Sequence, residues 1–269
     1  MIWIFLIPAL WFVGKKIVWL QHLHTTLMKY RRVQFKMEYG EVMQFTQFDS
    51  LELDSLTLEL QAAGFVVMAE TTCEIQFDPE TIPVPAPIPD PQGSPVSKPM
   101  FETQSNGFAR LFTHPVHGCY ASLISAIAVS RFEPELRRAD TITIAPFRTV
   151  ILSISGNADD AWGFATHNRE VQPFSLLLRH PRWLSHRLVQ ASTQQLLASH
   201  LVERVEIARR GDFSWDTTLY LPKYQQFEER ACRHYKNIYK NAATLGVAWH
   251  LLTYRLKSHV RWMGELPSG

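Results

Sequence analysis

Half of the chain's sixteen prolines lie between Pro79 and Pro99, and in "VPAPIPDP" they take every second position. Each proline removes an amide donor and fixes φ, so this segment is neither a helix nor an inner strand and favours polyproline II. It reads as a stiff exposed loop between two strands. A docking peptide for an aromatic groove is the sharper alternative.

The flanking sequence supports that placement. Before the loop, "FVVMAETTCEIQF" is rich in β-branched and aromatic residues and predicts a strand. After it, "GFARLFT" alternates Phe108, Arg110 and Phe112 with Ala109, Leu111 and Thr113, and "CYASLISAIAV" is a second apolar run. Between these two stands "HPVHG", with Pro115 suited to a turn's first central position and Gly118 free to take positive φ. A hairpin is expected here. "TITIAPF" and "RTVILSIS" predict two more strands separated at Pro146, and "AWGFATHN" a further one after the polar turn "SGNADD". Asp159 and Asp160 in that turn are neighbours that point apart, and they read as solvated turn residues.

Three stretches read as helices. Asp49–Phe65 places Leu53, Leu56, Leu60 and Ala63 on one face, with Asp54 or Ser55 as the cap and Gly64 as the terminator. "SHRLVQASTQQLLASHLVERVEIARR" places Leu188, Leu196, Leu197, Leu201 and Val205 near one stripe. From Lys223 to Met263 there is no proline, and Gly246 is the expected break.

Charge is unevenly spread. Residues 1–36 carry six basic side chains and no acid, and residues 222–269 carry eight basic and three acidic. The middle, 37–221, holds thirteen basic and twenty-two acidic residues, so two basic ends flank an acidic centre. Such ends suit a shared negatively charged neighbour. The start of the chain suggests which. "MIWIFLIPALWFVG" has no charged side chain, and Ile2–Leu20 is long enough to cross a bilayer if Lys15 and Lys16 snorkel to the headgroups. All the nearby Lys and Arg follow the apolar run, which places the bulk of the chain on the cytoplasmic side. Trp3, Phe5, Trp11, Lys15, Lys16, Trp19, Arg31 and Arg32 are the expected membrane contacts. The three cysteines have no CxxC spacing, as reduced thiols would.

"THPVHGCY" is the most chemically suggestive string, because His114, His117 and Cys119 could supply three metal ligands. No second ligand pair stands nearby, and the turn already explains Pro115 and Gly118. No two glycines are closer than five residues, which excludes GxGxxG and GxSxG loops. His167, His180, His186 and His200 have spacings that suit no standard ligand pair. The acidic middle lacks the basic-aromatic stripe of a nucleic-acid binder.

These observations predict an α+β protein. Residues 1–36 form a membrane-anchor helix with a basic flank, and 37–221 an antiparallel, hairpin-built domain carrying the proline loop 79–99. Residues 222–269 are a basic helical segment packed on that domain, with the helices on one sheet face. The expected role is a single-pass, membrane-anchored, non-enzymatic accessory or assembly subunit. Its partners would be membrane lipid and another membrane protein or complex, with no nucleic acid and no cofactor. The alternative is a membrane-bound hydrolase or metal-dependent enzyme using His114, His117 or Cys119.

Overall fold

The computed structural model describes residues 17–18, 20–21, 23–24, 33–38, 48–77, 103–132, 139–156, 160–168, 180–241 and 243–249. Among the described residues, eight strands form one sheet. They are β1 (Val33–Glu38), β2 (Val66–Phe77), β3 (Thr103–His114), β4 (Cys119–Phe132), β5 (Ala139–Ile144), β6 (Arg148–Ser155), β7 (Trp162–His167) and β8 (Trp183–Arg187). The order is β1-β2-β3-β4-β6-β7-β8, with β5 also paired to β4. Every pairing from β1 to β7 is antiparallel. The fold is therefore α+β with a mostly antiparallel sheet, as the strand patterns predict. The exception is the β7–β8 pair, which is parallel.

The 14-residue β4 organises the sheet. Its first half pairs with β6 (Leu123↔Thr149) and its second half with β5 (Ile127↔Ile144). Ala145, Pro146 and Phe147 bridge the gap opposite only Ser125 and Ala126, a one-residue excess that breaks the ladder where Pro146 has no amide to donate. The Ser125 hydroxyl donates to the Ala145 carbonyl in this gap.

Helices cover both faces. Helix α1 (Ser50–Ala62) and helix α2 (Thr193–Gly211) lie on one face. Their Leu53, Leu60, Leu196 and Leu197 pack with Phe108, Phe112, Ala121, Leu123 and Ile151 of the strands. Helix α3 (Leu221–Asn241) covers the other, where Tyr224 and Phe227 meet Leu111, Tyr120, Leu152, Ile154 and Ala165. The helices expected on one face are thus divided between two. The reason is in β3, β4 and β6, which alternate apolar residues on both sides, so each face needs a cover.

Several local expectations change as well. Asp49 caps α1, accepting from the amides of Leu51 and Glu52 at 3.0 Å each, in place of Asp54 or Ser55. Gly64 takes φ +93° just past the helix, as its position predicts. The stretch read as one helix from Ser185 begins as β8, and α2 starts only after a capping box of Ser192 and Gln195. Val205, expected on the buried stripe, is 67% exposed. In the tail the break falls between α3 and a short helix at 244–249, ahead of Gly246.

Among the described residues no helix is long and apolar enough to cross a membrane. The expected anchor lies almost wholly outside them, as do Trp3, Phe5, Trp11, Lys15, Lys16, Trp19, Arg31, Arg32 and the proline loop 79–99.

One glycine sets the approach of α3. A Cβ on Gly163 would stand 2.2 Å from Cζ of Phe227, an impossible contact. Gly163 therefore lets the Phe227 ring reach the sheet, where it also lies 5.0 Å from the Trp183 ring. Gly163→Ala should cost about 1–3 kcal/mol by overpacking. Urea denaturation checks this, and adding Phe227→Leu should recover part of the loss. A neutral Gly163→Ala would mean that α3 does not press on β7.

Candidate functional site

The hairpin turn between β3 and β4 forms as its sequence predicts. His114 pairs with Cys119, the Gly118 amide donates to the His114 carbonyl at 2.9 Å, and Gly118 takes φ +59°. The same hydrogen bonds occupy His114. Its Nδ1 accepts from the His117 amide at 3.3 Å, so in the neutral ring Nε2 carries the proton and donates to the Ala63 carbonyl at 3.1 Å. Edge-on contact with Phe65 at 4.9 Å completes its seat. Burial first, and the adjacent His117 second, hold His114 below the ordinary histidine range.

In this arrangement neither nitrogen of His114 offers a free lone pair to a metal. Cys119 is fully buried, and burial pushes its thiol up to about 12 despite the Arg204 charge. A protonated thiol is a poor nucleophile and a poor ligand. Arg204 donates instead to the His117 carbonyl at 2.7 Å, tying the turn to α2. The fold thus brings His114, His117 and Cys119 together as structural parts of a turn. Among the described residues no group of three or more His, Cys, Asp or Glu side chains is placed to hold a metal ion.

The four histidines of 167–200 separate to different partners. His200 is fully buried between β6, β7 and α2, 2.8 Å from Ser153 Oγ and 3.0 Å from Thr166 Oγ1, and stacks on Phe164 at 4.9 Å. A Ser–His contact has the form of a nucleophile and its base. Here both residues are 0% exposed, so no substrate reaches them, and the pair serves to satisfy polar groups inside the core. His167 meets Ser185 at 3.0 Å, His186 meets Ser199 at 3.4 Å, and His180 packs against His234 with ring centres 4.8 Å apart. Sequence reasoning missed these pairings because each joins separate elements of the fold.

A different juxtaposition has functional interest. The helical residues 17–18, 20–21 and 23–24 and the short helix at 244–249 come together, with His24 Nδ1 2.8 Å from Thr244 Oγ1 across 220 residues of sequence. Ile17, Leu20, Gln21 and His24, at one-turn spacings, line an open surface groove of about 580 Å³. Leu23, Val247 and Ala248 are buried, while Ile17, Val18, Leu245 and Trp249 are between half and three-quarters exposed. Two segments from the basic ends of the chain therefore meet and carry large apolar side chains at the surface.

The buried histidines make a pH prediction. Burial is the leading cause that holds His200 well below its ordinary range. As pH falls through about 6.5 the unfolded chain therefore takes up this proton before the native one does, and stability is lost toward lower pH. Glu228 works in the opposite direction, since burial raises its carboxyl to about 7. Comparing variants isolates the histidine. In His200→Gln the slope of unfolding free energy against pH below about 6.5 should shrink by up to about one proton. An unchanged slope would mean that native His200 is already protonated.

No protein-family model, no curated protein and no solved structure matches the chain.

Proposed function

We propose that this protein is a membrane-anchored, non-enzymatic accessory or assembly subunit. It acts by binding another membrane protein at the cytoplasmic membrane face. The observation that carries the reading is the meeting of residues 17–24 with 244–249 at the His24–Thr244 contact. Each of those segments belongs to a basic end of the chain, and the centre between them is acidic. The two segments carry no Lys or Arg themselves, so what their meeting collects on one part of the surface is exposed apolar side chains. A bilayer, or a partner seated at its surface, suits such a patch. The acidic domain then faces away from the negatively charged leaflet.

The enzymatic alternative has no comparable support. It needs His114, His117 or Cys119 to present a lone pair or a thiolate, but both nitrogens of His114 are hydrogen-bonded, the Cys119 thiol is buried, and among the described residues no metal-holding group forms around them.

Two measurements test the proposal. Removing residues 1–20 should move the protein from the membrane fraction to the soluble fraction. In mild detergent the full chain should co-purify with one membrane protein in a fixed ratio. A truncated chain that still pelleted with membranes in high salt would place the anchor elsewhere. A full chain recovered alone would remove the accessory role.

A further inference from the structure

The short helix at 244–249 is apolar on both sides. Val247 and Ala248 turn inward and are 2% and 5% exposed, while Leu245 and Trp249, one turn apart, are 73% and 70% exposed. Thr244 opens the helix, and its hydroxyl lies 2.8 Å from His24 Nδ1. A surface helix of a globular protein keeps its outward face polar, and a helix apolar all round belongs where every face is covered. The protein covers the inward face of this one. Its outward face is as apolar as its inward one and is exposed.

Chain connectivity selects what lies against that face. In the membrane-anchored reading, on which this inference rests, Ile2–Leu20 crosses the bilayer. His24 is four residues past Leu20, about 6 Å along a helix. The headgroup region on each side of the hydrocarbon is about 5–7 Å deep. The His24–Thr244 contact then holds the start of the short helix at headgroup depth. Tryptophan suits that depth, because its ring is apolar while its indole N–H stays near water. The charge of the flanking sequence agrees. No Asp or Glu occurs before Glu38 or between Glu229 and Glu265, and both stretches contain Lys and Arg. An anionic leaflet attracts such flanks and meets no carboxylate in them.

We propose that the 244–249 helix is a second membrane contact, in which Leu245 and Trp249 insert into the interfacial zone of the leaflet and the His24–Thr244 contact fixes them beside the end of the anchor. A single helix leaves the domain free to swivel about its tether. A second contact, joined to the first across 220 residues of sequence, removes that freedom. It also sets which side of the domain a neighbouring membrane protein meets.

The test reconstitutes the full chain in vesicles of phosphatidylcholine and phosphatidylserine, with and without lipid brominated near the headgroup end of its acyl chains. Bromine quenches tryptophan only at close range. Subtracting the emission of Trp249→Phe from that of the unaltered chain isolates Trp249 among the eight tryptophans. Brominated lipid should remove about half or more of that difference emission. Thr244→Val keeps the side-chain shape and deletes the hydroxyl. Measured against its own Trp249→Phe partner, it should show about twofold less quenching or lower still, while the chain still sediments with the vesicles. Leu58→Ser, at an exposed position of α1, should leave the quenching unchanged. Sedimentation separates the two readings. A chain absent from the vesicle pellet would remove the anchor and this contact together. A chain that pellets while its Trp249 emission ignores brominated lipid would overturn the second contact alone, as would quenching that Thr244→Val leaves intact. Trp249 shielded only in a complex with a co-purified protein would also overturn it, since a partner is then the cover.

Discussion

Strands β3, β4 and β6 are covered on both faces, and this two-sided burial governs what the other elements must do. With a side-chain period of two, residues 108, 112, 121, 123 and 151 go to one cluster and 109, 111, 120, 150, 152 and 154 to the other. A sheet loaded in this way cannot leave either face to water. Helices α1 and α2 cover one side and α3 the other. The polar side chains on these strands must then find partners inside, because an unpaired buried hydroxyl costs about 1–3 kcal/mol. Ser153 and Thr166 share the two nitrogens of His200, and Tyr120 both donates to the Tyr220 carbonyl and accepts from its amide at 3.2 Å. The second contact pins the connection between α2 and α3, so core satisfaction also sets where α3 begins.

What was legible in the sequence is what local chemistry decides. Pro115 and Gly118 specify their turn without help from the rest of the chain, and Gly64 and Pro146 likewise mark a helix end and a strand break. The β8 strand, "WLSHR", was not legible. It is short, its pairing with β7 is parallel, and Leu188 just beyond it is apolar at a spacing that also fits a helix. Only contact with β7 decides the matter, and that information is non-local. The placement of α3 on the second face is hidden for the same reason, since the pattern of a helix shows that it has an apolar side but not which surface meets it.

The candidate site shows this limit more sharply. His114, His117 and Cys119 are close in sequence, and closeness alone suggested a ligand set. Hydrogen bonds to Ala63 and to the turn occupy His114, burial holds the Cys119 thiol, and His117 enters the turn through its backbone. His180 and His234 meet from segments far apart in the chain, and no motif spans such a distance. A weak signal existed in "RHPRW" and "RACRH", two short strings of Arg and His without an acid between them. Nothing in the sequence said that they would meet.

The basic tail is accordingly less simple than its net charge suggests. Helix α3 turns Tyr224, Phe227, Arg230 and Ala231 inward, while Gln226, Glu229, Arg233 and Asn237 face water. Lys223 is drawn to Asp216, and Arg230 is buried against the Ala161 carbonyl. These two charges serve the fold and are not available to a membrane surface. Any electrostatic attraction of the tail must come from outward residues such as Arg233 and from positions beyond α3. At about 1 kcal/mol per basic residue at an anionic leaflet, and less in salt, that remainder can orient the domain but cannot hold it there alone. What remains is the set of exposed apolar side chains Ile17, Val18, Leu245 and Trp249. In the proposed membrane role, burial of those surfaces in lipid or against a partner would supply most of the affinity that charge does not.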